Sequence, residues 1–371
     1  MGVSTPAKIT LVPACGGRVK VTVIIPFHRN LNHLGQSLAA VRRSMPEAEV
    51  LIAADGAVDD CRALGAEAGA QVVVVPGPSG PAVARNRAAA LASGDVLVFV
   101  DADVVAAPDA LPGMCRLLDV ETGLDGVFGA YDLLPPERNF MSQYKNLSHA
   151  YVHEAGNPNA STFWAGLGAV RANAFRSVGG FDERFRRPSI EDIELGYRLV
   201  AAGHALRLDV RFRGRHLKRW TLWSCVMTDI RARGIPWTQL IHRSRALSND
   251  LNTSIGLRLS VVVTVALVAS LALAVVTPWA AGAAAVLLAA LIGLNFPYYR
   301  WFARTRGLLF ASKVIPVHLI HHLCNGISFL AGTTLHVAGR CGVTLPGALP
   351  TNVWAPPPMP AQGRPPLQPS T

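Results

Sequence analysis

The chain has no Cys-x-x-Cys pair. Its cysteines (Cys15, Cys61, Cys115, Cys225, Cys324, Cys341) are scattered, which excludes a zinc-ribbon site or a disulfide framework and fits a reducing compartment. No secretory signal is expected at the start, because the first apolar run, Val19 to Ile25, is too short for one and reads as a strand. Charge is absent over one long stretch: no Asp, Glu, Lys or Arg occurs from Leu259 to Tyr299. One membrane span needs ~20 apolar residues, so this stretch predicts two, with Thr277-Pro278-Trp279 as the turn between them. A third candidate span runs from Gly307 to Val337, interrupted by Lys313 and histidines. The mean hydropathy of +0.30 is high for a soluble protein, and the excess lies in the last third of the chain.

Basic loops orient such spans. Arg300, Arg304 and Arg306 separate the second span from the third, and Asp229 is the one acid among many Lys and Arg between Arg211 and Arg245. Basic flanks stay cytoplasmic, which puts the N-terminal part and the Arg304 loop inside and the end after Val337 outside. Residues 339–371, with Pro346, Pro350 and Pro356-Pro357-Pro358, cannot build a core. Residues 223–254 read as a basic interfacial amphipathic segment. Trp220, Trp223, Met227 and Ile230 fall at helical spacing opposite Arg219, Arg231, Arg233, Arg243 and Arg245. His318, His321, His322 and His336 in the third span read as packing or headgroup-holding residues rather than metal ligands.

Residues 21–222 have a different pattern. Apolar runs at Val21–Pro26, Glu49–Ala54, Gln71–Val75 and Val96–Val100 alternate with Ala- and Leu-rich stretches at His33–Arg43, Cys61–Ala70 and Ala82–Ala92. Strands alternating with such helices imply an α/β domain, a Rossmann-like, mostly parallel sheet covered on both faces. The fourth run ends abruptly in Asp101-Ala102-Asp103. Ligands collect at the carboxyl ends of parallel strands, and two hard oxygen ligands there suit Mg²⁺ or Mn²⁺ carrying a diphosphate.

With its neighbours, this element resembles the family 2 glycosyltransferases, inverting enzymes of the GT-A fold, over about Val21 to Trp220. Pro26-Phe27-His28-Arg29-Asn30 is similar to the first donor-binding loop, with Pro26 and His28 as donor contacts. Ala54-Asp55-Gly56-Ala57-Val58-Asp59 is similar to Asp-Asp-Gly-Ser-x-Asp, which assigns Asp55, with Asp59 as a further candidate, to the nucleotide base. Gly80-Pro81-Ala82-Val83-Ala84-Arg85-Asn86 matches Gly-x-x-x-Ala-Arg-Asn and sets Arg85 near the nucleotide. The Asp-x-Asp then implies Asp103 on the cation and Asp101 at the ribose or the metal. Phe163 to Arg171 and Val178 to Glu183 resemble the acceptor side, which nominates Trp164 and Gly166.

Ser189-Ile190-Glu191-Asp192 opens a helix, and the Glu-Asp pair implies Asp192 as catalytic base with Glu191 beside it. Ser-x-x-Asp is also a helix-capping pattern. His216-Leu217-Lys218-Arg219-Trp220 stands where processive synthases carry Gln-x-x-Arg-Trp. It adds Arg219 and Trp220 on the acceptor side, His216 as a further metal ligand, and a preference for single-sugar transfer.

The expectation is a multi-pass inner-membrane enzyme with its catalytic domain in the cytoplasm. It would move a sugar from a nucleotide-diphosphate sugar to a hydroxyl on a membrane lipid or lipid-linked glycan, with no nucleic-acid partner. The alternatives are a sugar nucleotidyltransferase, against which the Glu191-Asp192 helix speaks, and a catalytically silent membrane scaffold.

Overall fold

A computed structural model describes residues 19–56, 59–244, 253–343 and 345–349. The first eighteen residues, Ala57, Val58, Arg245 and the tail from Pro350 onward lie outside the described residues, as does the side chain of Asp59. The chain runs β1 (Val21–Phe27), α1 (Leu31–Ser44), β2 (Glu49–Asp55), α2 (Asp59–Glu67), β3 (Gln71–Val75), α3 (Pro81–Leu91), β4 (Val96–Val100), β5 (Val104–Ala106) and α4 (Ala110–Val120). Then come β6 (Gly126–Tyr131), α5 (Phe140–Glu154), β7 (Leu167–Arg171), α6 (Ala172–Ser177), α7 (Glu191–Ala201) and β8 (Leu206–His216). The C-terminal part is helical: α8 (Leu222–Met227), a π-helical turn (Thr228–Gly234), α9 (Ile235–Ser244), α10 (Ile255–Leu273), α11 (Trp279–Leu294), α12 (Phe296–Arg306) and α13 (Leu308–Arg340).

Among the described residues the strands form one sheet in the order β3-β2-β1-β4-β7-β6-β8-β5. The four strands read from the sequence pair in parallel, as do β6 and β8. β7 runs antiparallel to both neighbours, and β5 to β8. The sheet is therefore mixed at its C-terminal half. Successive residues of a strand point to opposite faces, and β4 divides accordingly. Leu97 and Phe99 join one core with the alanines of α3 and Phe163, Phe175 and Phe181. Val96, Val98 and Val100 join the other with Leu34, Leu38, Leu111 and Met114. A sheet buried on both faces has room for ligands only at its strand ends.

α10 and α13 are long and apolar enough to cross a membrane. α11 with α12 would make a third span only as a pair bent by 65°. The second span read from the sequence ends earlier than its uncharged stretch. Asn295 spends its amide on Ser260 Oγ and the Leu291 carbonyl, both at 2.9 Å. Proline in the first turn of α12 starts a new helix. Tyr298, Tyr299 and Phe302 then pack on Tyr144 and Leu147 of α5, so α12 belongs to the face of the α/β domain.

The 223–254 segment also differs from a free-lying amphipathic helix. Gly234 sits against Ser328 and Gly332 against Thr238, which seats the π-helical turn and α9 on α13. Trp220, the expected head of the apolar stripe, precedes α8 and is buried, whereas Trp223 is exposed. The third-span histidines pack internally: His318 Nδ1 lies 3.2 Å from Tyr299 Oη, and His321 Nδ1 lies 3.2 Å from Asp229.

Candidate active site

The turn after β4 is held from three sides. Asp101 N–H donates to the Gly166 carbonyl at 3.1 Å, Val104 N–H donates to the Asp101 carbonyl at 2.9 Å, and Leu217 N–H donates to the Asp103 carbonyl at 2.8 Å. The β5–β8 ladder pairs Val104 with His216, which brings two residues far apart in sequence to one point. His216 Nε2 lies 3.4 Å from Asp103 Oδ2, and Nδ1 lies 3.0 Å from Asn146 Oδ1 of α5. With Nδ1 assigned as the donor to Asn146, the Nε2 lone pair faces a carboxylate, and a proton or cation must bridge the two. Burial would raise the Asp103 pKa, but His216, Lys218 and His33 outweigh it and hold the group at about 2.

A second group of residues fixes α3. Both oxygens of Asp55 accept backbone N–H bonds, from Ser79 at 2.7 Å and Gly80 at 2.9 Å. Gly80 has φ +97°, and a Cβ there would fall 2.6 Å from the backbone of Arg186, so only glycine fits. The helix that follows carries Arg85 inward, 4% exposed. Its guanidinium donates to Asp101 Oδ1 at 2.6 Å and to Glu191 Oε1 at 3.0 Å and lies 5.3 Å from the Phe181 ring centre. Burial alone would favour loss of its proton, but Asp101, Glu191 and Asp192 keep it charged. Pro26 is half-buried at the end of β1, in register with Ala53. His28 is exposed, with Nδ1 2.8 Å from the Asp55 carbonyl.

Glu191 opens α7 and accepts the Ser189 amide at 2.8 Å on its second oxygen. Ser189 forms no cap: its hydroxyl donates to the Ala232 carbonyl at 2.7 Å, and the N-cap position is Ile190. Asp192 accepts from the amides of Ala165 at 3.3 Å and Ile193 at 2.8 Å. Its pKa rises to about 7, first through burial and then through the charge of Glu191, against the pull of Arg85, the Ala165 amide and Arg233.

Tyr131 lines the space between these groups. Burial raises its phenol pKa most; Arg233 opposes this, while Asp103, Asp101 and Asp192 add to it. All three carboxylates are therefore within electrostatic reach of one hydroxyl. Its ring meets Trp164 at 4.6 Å, His216 at 5.1 Å and His149 at 5.4 Å. Gly166 leaves the room that the Trp164 indole occupies. Arg219 stands apart, exposed and 3.9 Å from Glu137. Trp220 is buried, its backbone N–H donating to Ser142 Oγ at 2.7 Å. Sequence reasoning missed Tyr131, Asn146, His149, His153 and Arg233. Asn146, His149 and His153 form a polar stripe on one face of α5 at helical spacing, which was a readable signal.

Residues 22–182 match the family model described as Glycosyl transferase family 2. Over these residues the chain is similar to glycosyl transferase family 2. The chain is 27% identical over 197 residues to the pre-mycofactocin glycosyltransferase of Mycobacterium tuberculosis, covering 51% of this chain and 41% of that protein. It is 30% identical over 203 residues to the succinoglycan biosynthesis protein ExoA of Rhizobium meliloti, covering 50% and 59%. It thus spans about half the length of the curated relatives it matches. The solved mannosyltransferase PcManGT of Pyrobaculum calidifontis, in complex with GDP-Man and Mn²⁺, superposes with a TM-score of 0.50 at 18% identity, covering 87% and 88% of the two chains. That likeness establishes the GT-A-type fold.

Proposed function

We propose that the chain is an inverting glycosyltransferase that moves one sugar from a nucleotide-diphosphate sugar to a hydroxyl of a membrane lipid or lipid-linked glycan. The observation that carries this reading is Arg85, which bridges Asp101 and Glu191 and so holds the strand-end acids and Asp192 around one space. In this reading residues 21–222 are the catalytic domain, Pro26, His28 and Asp101 face the donor, and Asp55, its two oxygens on the Ser79 and Gly80 amides, shapes the loop beside it. Trp164 and Gly166 lie on the acceptor side, whereas Arg219, exposed beside Glu137, and the buried Trp220 stand back from it.

Asp103, Asp101 and His216 would hold Mg²⁺ or Mn²⁺. Their fit rests on the converging carboxylate and imidazole, with His216 oriented by Asn146. Among the described residues no group of three or more His, Cys, Asp or Glu converges: Asp103 and His216 face each other, while Asp101 is engaged by Arg85. When bound, such an ion supplies Lewis-acid stabilisation of the charge on the departing nucleoside diphosphate.

The rest of the chemistry falls to the chain. Asp192 takes the proton of the acceptor hydroxyl, which its pKa near neutrality suits. The hydroxyl oxygen bonds to the anomeric carbon on the face opposite the leaving group. The bond from that carbon to the diphosphate oxygen breaks, and the configuration inverts. Glu191, spent on Arg85 and the Ser189 amide, positions rather than reacts. α10 and α13, long and apolar enough to cross a membrane, support a multi-pass setting; in this reading the membrane is the inner one and the basic flanks keep the catalytic domain on its cytoplasmic side. Incubating membranes that contain the chain with radiolabelled nucleotide sugars, with and without chelator, tests the reading. Label should pass to extracted lipid only without chelator; no transfer or donor hydrolysis with Mg²⁺ or Mn²⁺ present contradicts it.

A further inference from the structure

Arg233 sits on the π-helical turn that rests on α13, an irregularity frequent at functional sites. Its guanidinium donates to His149 Nε2 at 3.0 Å, and His149 lies 5.4 Å from the Tyr131 ring. Among the described residues Arg233 has no ion pair. Asp229 on the same turn is spent on Lys145 at 2.5 Å and His321 at 3.2 Å. Burial, with Arg233 as the next cause, pushes the pKa of His149 well down and that of His153 to about 4, so neither imidazole adds a proton to share. The half-buried guanidinium of Arg233 is thus held at the wall of the site by a neutral imidazole, with no carboxylate within ion-pair distance among the described residues and with donors free for an anionic ligand.

We propose that Arg233 seats a phosphate group carried by the acceptor, with the reactive hydroxyl directed toward Asp192. A guanidinium fork matches phosphate oxygens in pairs. The donor's own diphosphate would be held elsewhere, by the cation that Asp103 and His216 would carry. The bilayer is the source, because Leu222 and Trp223 are exposed at the start of the helix leading into this turn and α13 backs it. The proposal rests on the glycosyltransferase reading and adds the acceptor's chemical class.

The test uses the full chain in zwitterionic detergent, with dodecyl phosphate, dodecanol and inorganic phosphate as probes in thermophoretic binding titrations. Mn²⁺-dependent binding of UDP and GDP is measured alongside. The parent should bind dodecyl phosphate at least tenfold more tightly than dodecanol. Arg233→Gln should lose that preference, Arg233→Lys should keep most of it, and both should bind nucleotide like the parent. Nucleotide binding without any preference for dodecyl phosphate overturns the phosphate seat alone, as does an unchanged preference in Arg233→Gln. Inorganic phosphate binding as tightly as dodecyl phosphate overturns the bilayer source. Failure of the parent to bind either nucleotide instead strikes the parent reading.

Discussion

Arg85 donates to Asp101 at 2.6 Å while its other terminal nitrogen reaches Glu191 at 3.0 Å. Through that one side chain, the end of β4 and the start of α7 are fixed against each other. Removing one partner of a buried ion pair leaves an uncompensated charge and costs about 3–5 kcal/mol. Arg85→Ala should lower the thermal midpoint of the detergent-solubilised chain sharply, and Arg85→Lys less so. Loss of the positive charge should also raise the Asp192 pKa, because Arg85 pulls it down. Any turnover that survives in Arg85→Lys should therefore show its acid limb at the parental pH.

The acid limb itself is a prediction. Asp192 acts as a base only when deprotonated, and its pKa is raised to about 7 by burial and by Glu191. Turnover should fall about tenfold per pH unit below that value and be level above it. Glu191→Gln removes a neighbouring negative charge and should move the limb to lower pH. A pH profile of kcat/KM for the two proteins reads this shift.

His216 is oriented by Asn146 at 3.0 Å, and outer partners of this kind contribute about 10–100-fold in metal affinity. Asn146→Ala should raise the Mn²⁺ concentration needed for half-maximal activity by about that factor, with activity restored at high Mn²⁺. His216→Ala should need more Mn²⁺ still. Metal titrations at fixed donor concentration check both.

The order of motifs from β1 to α7 was legible because each sits at a strand end or helix start, where local pattern and function coincide. Val96–Val100 reads as a strand buried on both faces, and it is one. Other features needed tertiary partners. Ser189 offers a capping hydroxyl, but the Ala232 carbonyl claims it. Trp220 matches the spacing of a helical stripe, yet it lies in the connection between β8 and α8 and is buried, its backbone held by Ser142. The bend after Leu294 follows from Asn295 and the next proline, which count as uncharged in any window. Arg233 looked like one more charge in a basic segment, and its meaning appears only once α5 brings His149 to it.

The most direct test compares Asp103→Ala with Asp192→Asn. Equilibrium binding of a nucleotide-diphosphate sugar with Mn²⁺ is measured alongside single-turnover transfer. Asp103→Ala should lose Mn²⁺-dependent donor binding. Asp192→Asn should bind donor like the parent and transfer sugar about 10²–10⁴-fold more slowly. Equal donor binding by Asp103→Ala and the parent, or undiminished transfer by Asp192→Asn, would contradict the account.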